Sequence, residues 1–434
     1  MRVEGPSEAA NPSTENERRI RPVEHLLMSG YWFGSNFMWG ALLPIVLPHE
    51  MEAMAHDRKA QMLGVLAAFG ALPALLVPLI AGAMSDRCTS RFGRRRPFIF
   101  WGALVGCAGI VGLMLAGQAA NLPFYFAAYF VVQFGANTAL AAYSGVIPDL
   151  VPHSQRGVAS GYMALMSQLS TLLGALLMGR LIKNDPALVY MIMLAVFAAF
   201  SLLTLWGVKE SPLREEPPEL DWIEYLKSLW ISPKDYPDFA WVWITRFLMM
   251  MGFYSILFYL NYYLRDVVHV LNPNVQAGQL IGLSLLAATI SGYLGGAISD
   301  RIGRKPVVYA SSFVIALVCL ALVFCHSLNQ ALFAGVVFGL GYGAYISVDW
   351  ALGTDTLPSK EHAGKDMGVW HVAMTLPQQM APLFAGLILQ QFLVPGRQGA
   401  ESSYAWVGYA LIFGFAALFF ALGGYLLKNV RGVS

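Results

Sequence analysis

The chain is 434 residues long, 57% hydrophobic and only 12% charged, and its 28 Lys and Arg nearly cancel its 26 Asp and Glu. A soluble domain carries about 25% charged residues, so an ordinary water-exposed globule is excluded, and a +2 balance without long basic runs speaks against nucleic acid as a partner. Apolar residues spread along nearly the whole length leave the bilayer as the solvent and membrane lipids as constant neighbours.

Residues 1–24 read as a polar tail with neither the apolar core nor the cleavage site of a signal peptide, so the first hydrophobic segment is expected to be retained. Crossing a hydrocarbon core of about 30 Å at 1.5 Å per residue takes about 20 mainly apolar residues. Twelve stretches qualify: 25–48, 62–85, 97–117, 122–148, 157–183, 188–208, 239–264, 277–299, 306–325, 330–353, 366–393 and 404–427. Between the sixth and seventh, residues 209–238 carry Glu210, Glu215, Glu216 and Glu219 with Pro217 and Pro218, which cannot remain in lipid. The chain therefore divides into a six-span bundle at 25–208, a linker at 209–238, a second bundle at 239–428 and a short tail at 429–434. Inside the linker, Asp221, Glu224, Lys227 and Ser228 share one helical face and Trp222, Ile223 and Trp230 lie on others, the pattern of a helix resting on the membrane surface.

Basic residues set the orientation. The loops at 86–96 and 300–305, the linker and both tails hold most of them, whereas the other side holds Arg58, Lys59, Lys183, Arg265 and Arg397. Both termini are thus expected in the cytoplasm, in a multi-pass protein of the plasma (cytoplasmic) membrane. Cys88, Cys107, Cys319 and Cys325 form no disulfide framework and no metal spacing. No phosphate loop, dinucleotide fingerprint, HExxH or nucleophile elbow occurs, so neither an enzyme nor a bound cofactor is expected.

The two halves repeat each other. GAMSDRCTSRFGRRRP at 82–97 recurs as GAISDRIGRKP at 296–306, each after the second span of its half, and PDLVP at 148–152 echoes TDTLP at 354–358 after the fourth. The second copy of the loop resembles the signature of the major facilitator superfamily. The longer first copy, residues 85–99, is similar to the loop of plant sucrose and proton symporters and their relatives, within the glycoside and cation symporter branch. That resemblance implies an all-α membrane fold of two pseudo-symmetric six-helix bundles, with spans 1, 4, 7 and 10 around a central cavity. It also implies that Asp86, Arg87, Arg94, Arg95, Asp300, Arg301, Arg304 and Lys305 form a cytoplasmic gate that stabilises the outward-open state. An acid ending a helix beside Arg can pair with Arg94 or Arg304 and with the amides of the next helix start, and the glycines at 82, 93, 296 and 303 permit close approach and a tight turn. A plain positive-inside loop is the alternative.

The sequence also departs from the sucrose pattern. Where the plant symporters carry an acid and an Arg in span 4, Gln133 and Ser144 stand here. Charged residues within spans mark function by default, and Arg246, Asp349 and the end-lying Arg180 are the ones present. Arg246 in span 7 and Asp349 in span 10 lie at matching depths, about 12 Å and about 9 Å from the same side at 1.5 Å per residue. They read as a cation-coupling pair or as a permanent structural pair, and His371 joins them as the histidine well inside a span, suited to proton exchange. Sugar binding needs flat aromatic faces and amide or hydroxyl groups; Asn36, Trp39, Gln133, Asn137, Tyr143, Tyr254, Tyr259, Tyr345, Trp350 and Gln378 supply such a set, with helix packing and interfacial belts as the competing use. The expected function is secondary active transport by alternating access, symport of a sugar, glycoside or similar polar solute with a cation, a proton rather than sodium, by a monomer. A proton-coupled exporter of an amphiphile and a non-transporting receptor or assembly factor are the alternatives.

Overall fold

The computed structural model describes residues 19–210, 212–213, 221–358, 363–396 and 401–432. Eleven helical runs among them are long and apolar enough to cross a membrane. The first, Gly30–Asp86, has 57 residues and would reach about 85 Å if straight, nearly three times the hydrocarbon core. It turns back at His56–Arg58, where His56 takes a φ of 45°, so it is two spans and the total is twelve.

We number the spans α1 (Gly30–Ala41, a π turn at Leu42–Val46, and Leu47–Ala55), α2 (Lys59–Phe69 and Ala71–Asp86), α3 (Arg96–Gln118), α4 (Leu122–Ser144, continued by Val146–Leu150), α5 (Arg156–Leu181) and α6 (Pro186–Gly207). The second half is α7 (Pro237–Leu257 and Leu260–Asp266), α8 (Pro273–Ile302), α9 (Arg304–Leu322), α10 (Leu328–Asp355), α11 (Ala363–Gln390) and α12 (Trp406–Leu426). A two-residue hairpin, β1 (Leu393–Val394) against β2 (Ser403–Tyr404), lies between α11 and α12. Five spans, α3, α4, α6, α7 and α8, begin with Pro in the first turn, where its missing N–H costs nothing.

Packing repeats between the halves. In the first, α1 packs on α5 and α6, α3 on α4 and α6, and α2 on α4; in the second, α7 packs on α11 and α12, α9 on α10 and α12, and α8 on α10. Small residues make the tightest crossings: a Cβ on Gly135 would strike the backbone of Gly106, and one on Gly343 the carbonyl of Ala288. Of the four loop glycines expected to matter, Gly93 and Gly303 take φ of 96° and 94°, the left-handed turn that favours glycine. Gly82 and Gly296 do not serve close approach; no atom lies within 4 Å of a Cβ built on Gly82, and only Ser347 Oγ, at 3.9 Å, faces one on Gly296.

The halves meet along two seams, α5 with α8 and α2 with α11. Both seams are tight at one end only. Gly179 lies on Asn274 and Gly278 on Ala175, while Gly64 lies on Pro382 and Gly386 on Ala60. Toward the face that carries the 87–95 loop, Val158 and Leu165 of α5 and Ile290, Leu294 and Ile298 of α8 are exposed. The bundle is thus closed at the face holding His56 and the hairpin and parted toward the basic face.

Two span ends differ from expectation. Helix α1 runs on to Ala55, past the limit at 48 that His49, Glu50 and Glu52 suggested, and α2 begins already at Lys59. Paired charges explain both: Glu52 binds Lys59 and Arg265, and Glu50 is buried beside Tyr190. His49 consequently sits inside a span, 3.5 Å from the Asn274 amide, so His371 is not the one intramembrane histidine. In the linker, Trp222–Ser228 is helical with Trp222, Ile223 and the following Trp230 exposed, while residues 214–220 lie outside the described set.

Candidate functional site

At the basic face each half builds the same four-residue staple from the repeated sequence. Arg95 pairs with Asp86 at the end of α2, reaches Asp149 at the end of α4 (2.9 Å) and donates to Ser85 Oγ (3.3 Å). Arg304 pairs with Asp300 at the end of α8 (2.5 Å), approaches Asp355 at the end of α10 (3.6 Å) and donates to Ser299 Oγ (2.9 Å). Asp86 therefore takes Arg95 rather than Arg94, and Arg94 instead pairs with Asp149 at 2.6 Å. The inserted residues of the first loop shift the register by one, so the arginine two places before Pro97, not the one after Gly93, reaches the helix end. Glu210, just beyond α6, accepts from the Arg95 and Arg96 amides at 2.9 and 3.2 Å and so caps the start of α3 behind the staple. From the linker, Tyr225 donates to the Leu79 carbonyl at 3.2 Å; burial and then the Asp86 carboxylate raise its hydroxyl above the ordinary value, which keeps it a donor. Arg87 turns to the Ala83 carbonyl. Arg301 and Lys305 make no ion pair among the described residues. Each staple lies within one half and closes nothing between them in this conformation.

In the interior of the second half, Arg246 of α7 and Asp349 of α10 form an ion pair, each 1% exposed. Asp349 also accepts from Tyr345 at 2.9 Å. The guanidinium lies 3.6 Å from the Trp370 ring centroid and 3.5 Å from the Met374 sulfur, both on α11. Helices α7, α10 and α11 thus converge on one neutralised charge pair in an aromatic box. Removing one partner of such a pair costs about 3–5 kcal/mol, because it strands a charge in a low dielectric. His371 follows Trp370 on α11 and is half-buried.

The first half offers a different surface. Tyr31 donates to the Ala136 carbonyl at 2.8 Å, and its ring meets that of Tyr143 at 4.9 Å; Trp32 meets Tyr143 edge-on at 6.0 Å. The Tyr143 hydroxyl and the Trp32 indole N–H are buried and find no protein partner among the described residues. Across the molecule the same holds for Gln379 Oε1, Trp370 Nε1 and Arg246 Nε. Buried polar groups left unpaired cost about 1–3 kcal/mol each.

A sequence profile of the Major Facilitator Superfamily matches residues 28–382 and again 269–432. The chain belongs to the major facilitator superfamily. Among its relatives, a sucrose transport protein of Arabidopsis thaliana is 28% identical over 191 residues, 38% of this chain and 36% of that protein. The human Proton-associated sugar transporter A is 28% identical over 220 residues, 46% of this chain and 29% of that protein. The match spans about a third of the length of these two relatives. A rice sucrose transport protein matches at 22% identity over 92% of this chain and 87% of its own. Two solved structures share the fold: the nucleoside transporter NupG (TM-score 0.73, 13% identity, 93% of this chain and 99% of that one), and a bacterial homologue of the lysosomal transporter Spinster in an inward-facing state (TM-score 0.71, 16% identity, 95% and 99%). The chain thus combines the major facilitator fold with sugar transporters among its relatives.

Several expected site residues lie elsewhere than the cavity reading required. Gln133, 3% exposed, spends its amide on the Tyr129 hydroxyl (2.8 Å) and on Asn137 (3.0 Å). Asn137 also donates to the Gln133 carbonyl, and Asn36 to the Trp32 carbonyl, the usual i−4 use of a helical amide. Tyr259 donates to the carbonyls of Ala60 and Pro382, in the closed seam. Trp350 is 49% exposed and meets Trp370 at 4.9 Å. Trp39 and Gln378 are half-buried, Tyr254 is buried beside Phe253 and near Arg246, and Tyr345 is already in the ion-pair box. Trp32 and Trp370 carry unpaired polar atoms in the interior and stand outside the expected set, whereas Gln379, whose Oε1 is likewise unpaired, neighbours Gln378 and is an amide the sequence itself offers for solute hydroxyls or helix packing.

Proposed function

We propose that this transporter moves a sugar or similar polyhydroxylated solute together with a cation, a proton rather than sodium, by alternating access of its two halves, 25–208 and 239–428. The buried Arg246–Asp349 pair carries this reading. A protonated Asp349 releases the guanidinium, freeing α7, α10 and α11 to move relative to one another, and deprotonation re-forms the pair. His371 directly follows Trp370, whose ring the guanidinium overlies. The first half has Gln133 where the plant sucrose symporters carry an acid, so coupling falls to the second half.

Orientation follows the basic face, which we place in the cytoplasm of the plasma membrane with both termini and the surface helix of the linker. The protein then stands open to the cytoplasm and closed outside, and it works as a monomer. Solute binds between Trp32, Tyr143 and Trp39 of the first half and Tyr254, Trp370, Gln378 and Gln379 of the second, where aromatic faces meet unpaired polar atoms.

Purified protein screened against sugars, polyols and amphiphilic compounds tests the solute class by its melting temperature. A ligand at 100 times its Kd stabilises the folded state by about 2.7 kcal/mol. A sugar or polyol is expected to raise the melting temperature, with the rise lost in Trp32→Ala. Stabilisation by amphiphiles alone contradicts the assignment.

A further inference from the structure

The closed seam holds a charge cluster that the central pair does not involve. Lys59, at the start of α2, is 1% exposed. Its ammonium donates to Glu52 of α1 at 3.0 Å and, across the halves, to the Ser402 carbonyl beside β2 at 2.6 Å. The rings of Tyr262 and Tyr404, both from the second half, lie 5.6 and 5.9 Å from it. Glu52 also pairs with Arg265 at the end of α7, again across the halves.

The second half is braced to present these groups. Asp266 accepts from Arg265 Nε at 2.7 Å, from the Tyr404 amide at 3.0 Å and from the Tyr409 hydroxyl at 2.7 Å, so one carboxylate holds the arginine, the hairpin and α12 together. Tyr404 accepts from the Ala60 amide at 3.0 Å, and burial pushes its hydroxyl up to about 12, which keeps it neutral. Tyr262 donates to the Pro48 carbonyl at 2.8 Å. Glu401 stands 3.6 Å from Arg265 but is exposed, and Asp57 faces the cluster through its carbonyl, which binds Gln390.

We infer that Glu52 is the gating residue of the outer face: it binds one cation from each half, and its cross-half link to Arg265 must break before the solute path opens outward. Lys59 and Ala60 are tied across the halves to Ser402 and Tyr404 as well, so these contacts must part with it. The inference rests on the proposed inward-open orientation for the word outer, but not on the solute or on its coupling to a cation. A carboxylate shared by a buried lysine and a part-buried arginine is the weak point of such a lock, because neutralising it leaves Lys59 without its paired carboxylate and cuts Arg265, which keeps Asp266, from the first half.

The test measures opening without measuring transport. In full-length protein whose four cysteines are replaced, spin labels at Asn184 and Leu271, exposed on the two sides of the α5–α8 seam, report the distance across the closed face. The parent protein is expected to give one short distance. Glu52→Gln is expected to raise the ratio of long to short distances at least tenfold, and Glu52→Asp to raise it less. Arg265→Gln removes the same crossing pair from the other half and decides the matter where Glu52→Gln fails to fold. An unchanged short distance in folded Glu52→Gln and Arg265→Gln overturns the inference. A shift in distance without any solute flux sustains the latch and instead removes the transport reading.

Discussion

Asp349→Asn is expected to abolish cation-driven accumulation of solute while leaving exchange of solute across the membrane within about threefold of the parent. The amide has the shape of a protonated carboxyl and retains an oxygen to accept from Arg246, so the box that Tyr345, Trp370 and Met374 form around the pair keeps its packing. What it loses is the ability to release and regain a proton. One charge moving through 100 mV is worth about 2.3 kcal/mol, equivalent to roughly fifty-fold accumulation at 1.4 kcal/mol per tenfold, and this is the gradient the variant forfeits. Arg246→Ala differs in kind. It strands the carboxylate at a site 1% exposed and costs about 3–5 kcal/mol, so less folded protein is expected in the membrane. Counterflow and accumulation measured side by side in proteoliposomes check the pair of results. Full accumulation by Asp349→Asn removes the aspartate from coupling and leaves the ion pair a structural tie.

Asp149→Asn is expected to lower uptake about tenfold with similar amounts of protein in the membrane, and Asp86→Asn to lower it only about twofold to fivefold. The difference follows from burial. The Asp86 side chain is 52% exposed, and an ion pair so wetted is worth at most about 1 kcal/mol. Asp149 is 20% exposed and holds Arg94 and Arg95 together, so its loss frees Arg94, leaves Arg95 to Asp86 alone and unties the end of α4 from the start of α3. Asp355→Asn, the equivalent change in the second half, is expected to cost less, because the Arg304 contact is longer, 3.6 Å. Initial uptake rates normalised to protein in the membrane give the order. A larger loss in Asp86→Asn than in Asp149→Asn contradicts the staple as drawn here.

Much of this architecture is legible in the residues. Apolar length alone locates the twelve spans, and the repeated loop places a charged staple at the same position in each half. What apolar length misjudges is the end of α1, because Glu52 and Lys59 look like water-exposed residues until they pair with each other and Glu52 with Arg265 of α7. The PDLVP and TDTLP echo marks Asp149 and Asp355, yet nothing local says that each faces the loop arginine of its half, since that contact joins residues more than fifty positions apart. Depth counting brings Arg246 and Asp349 to one level, and the structure brings them into contact. The amides fared differently. Gln133 and Asn137, four apart on one helix, satisfy each other, whereas Trp32, Trp370 and Gln379 keep polar atoms with no protein partner among the described residues.

The direction of proton movement tests the central claim most directly. Proteoliposomes without an imposed gradient are to be suspended in a weakly buffered medium, and a solute identified by the melting screen added outside while external pH is read. Symport through the Arg246–Asp349 pair predicts that the medium turns alkaline as solute enters, and that Asp349→Asn shows solute entry without the alkaline shift. Acidification of the medium, or solute entry with no proton movement in the unmodified protein, contradicts the account.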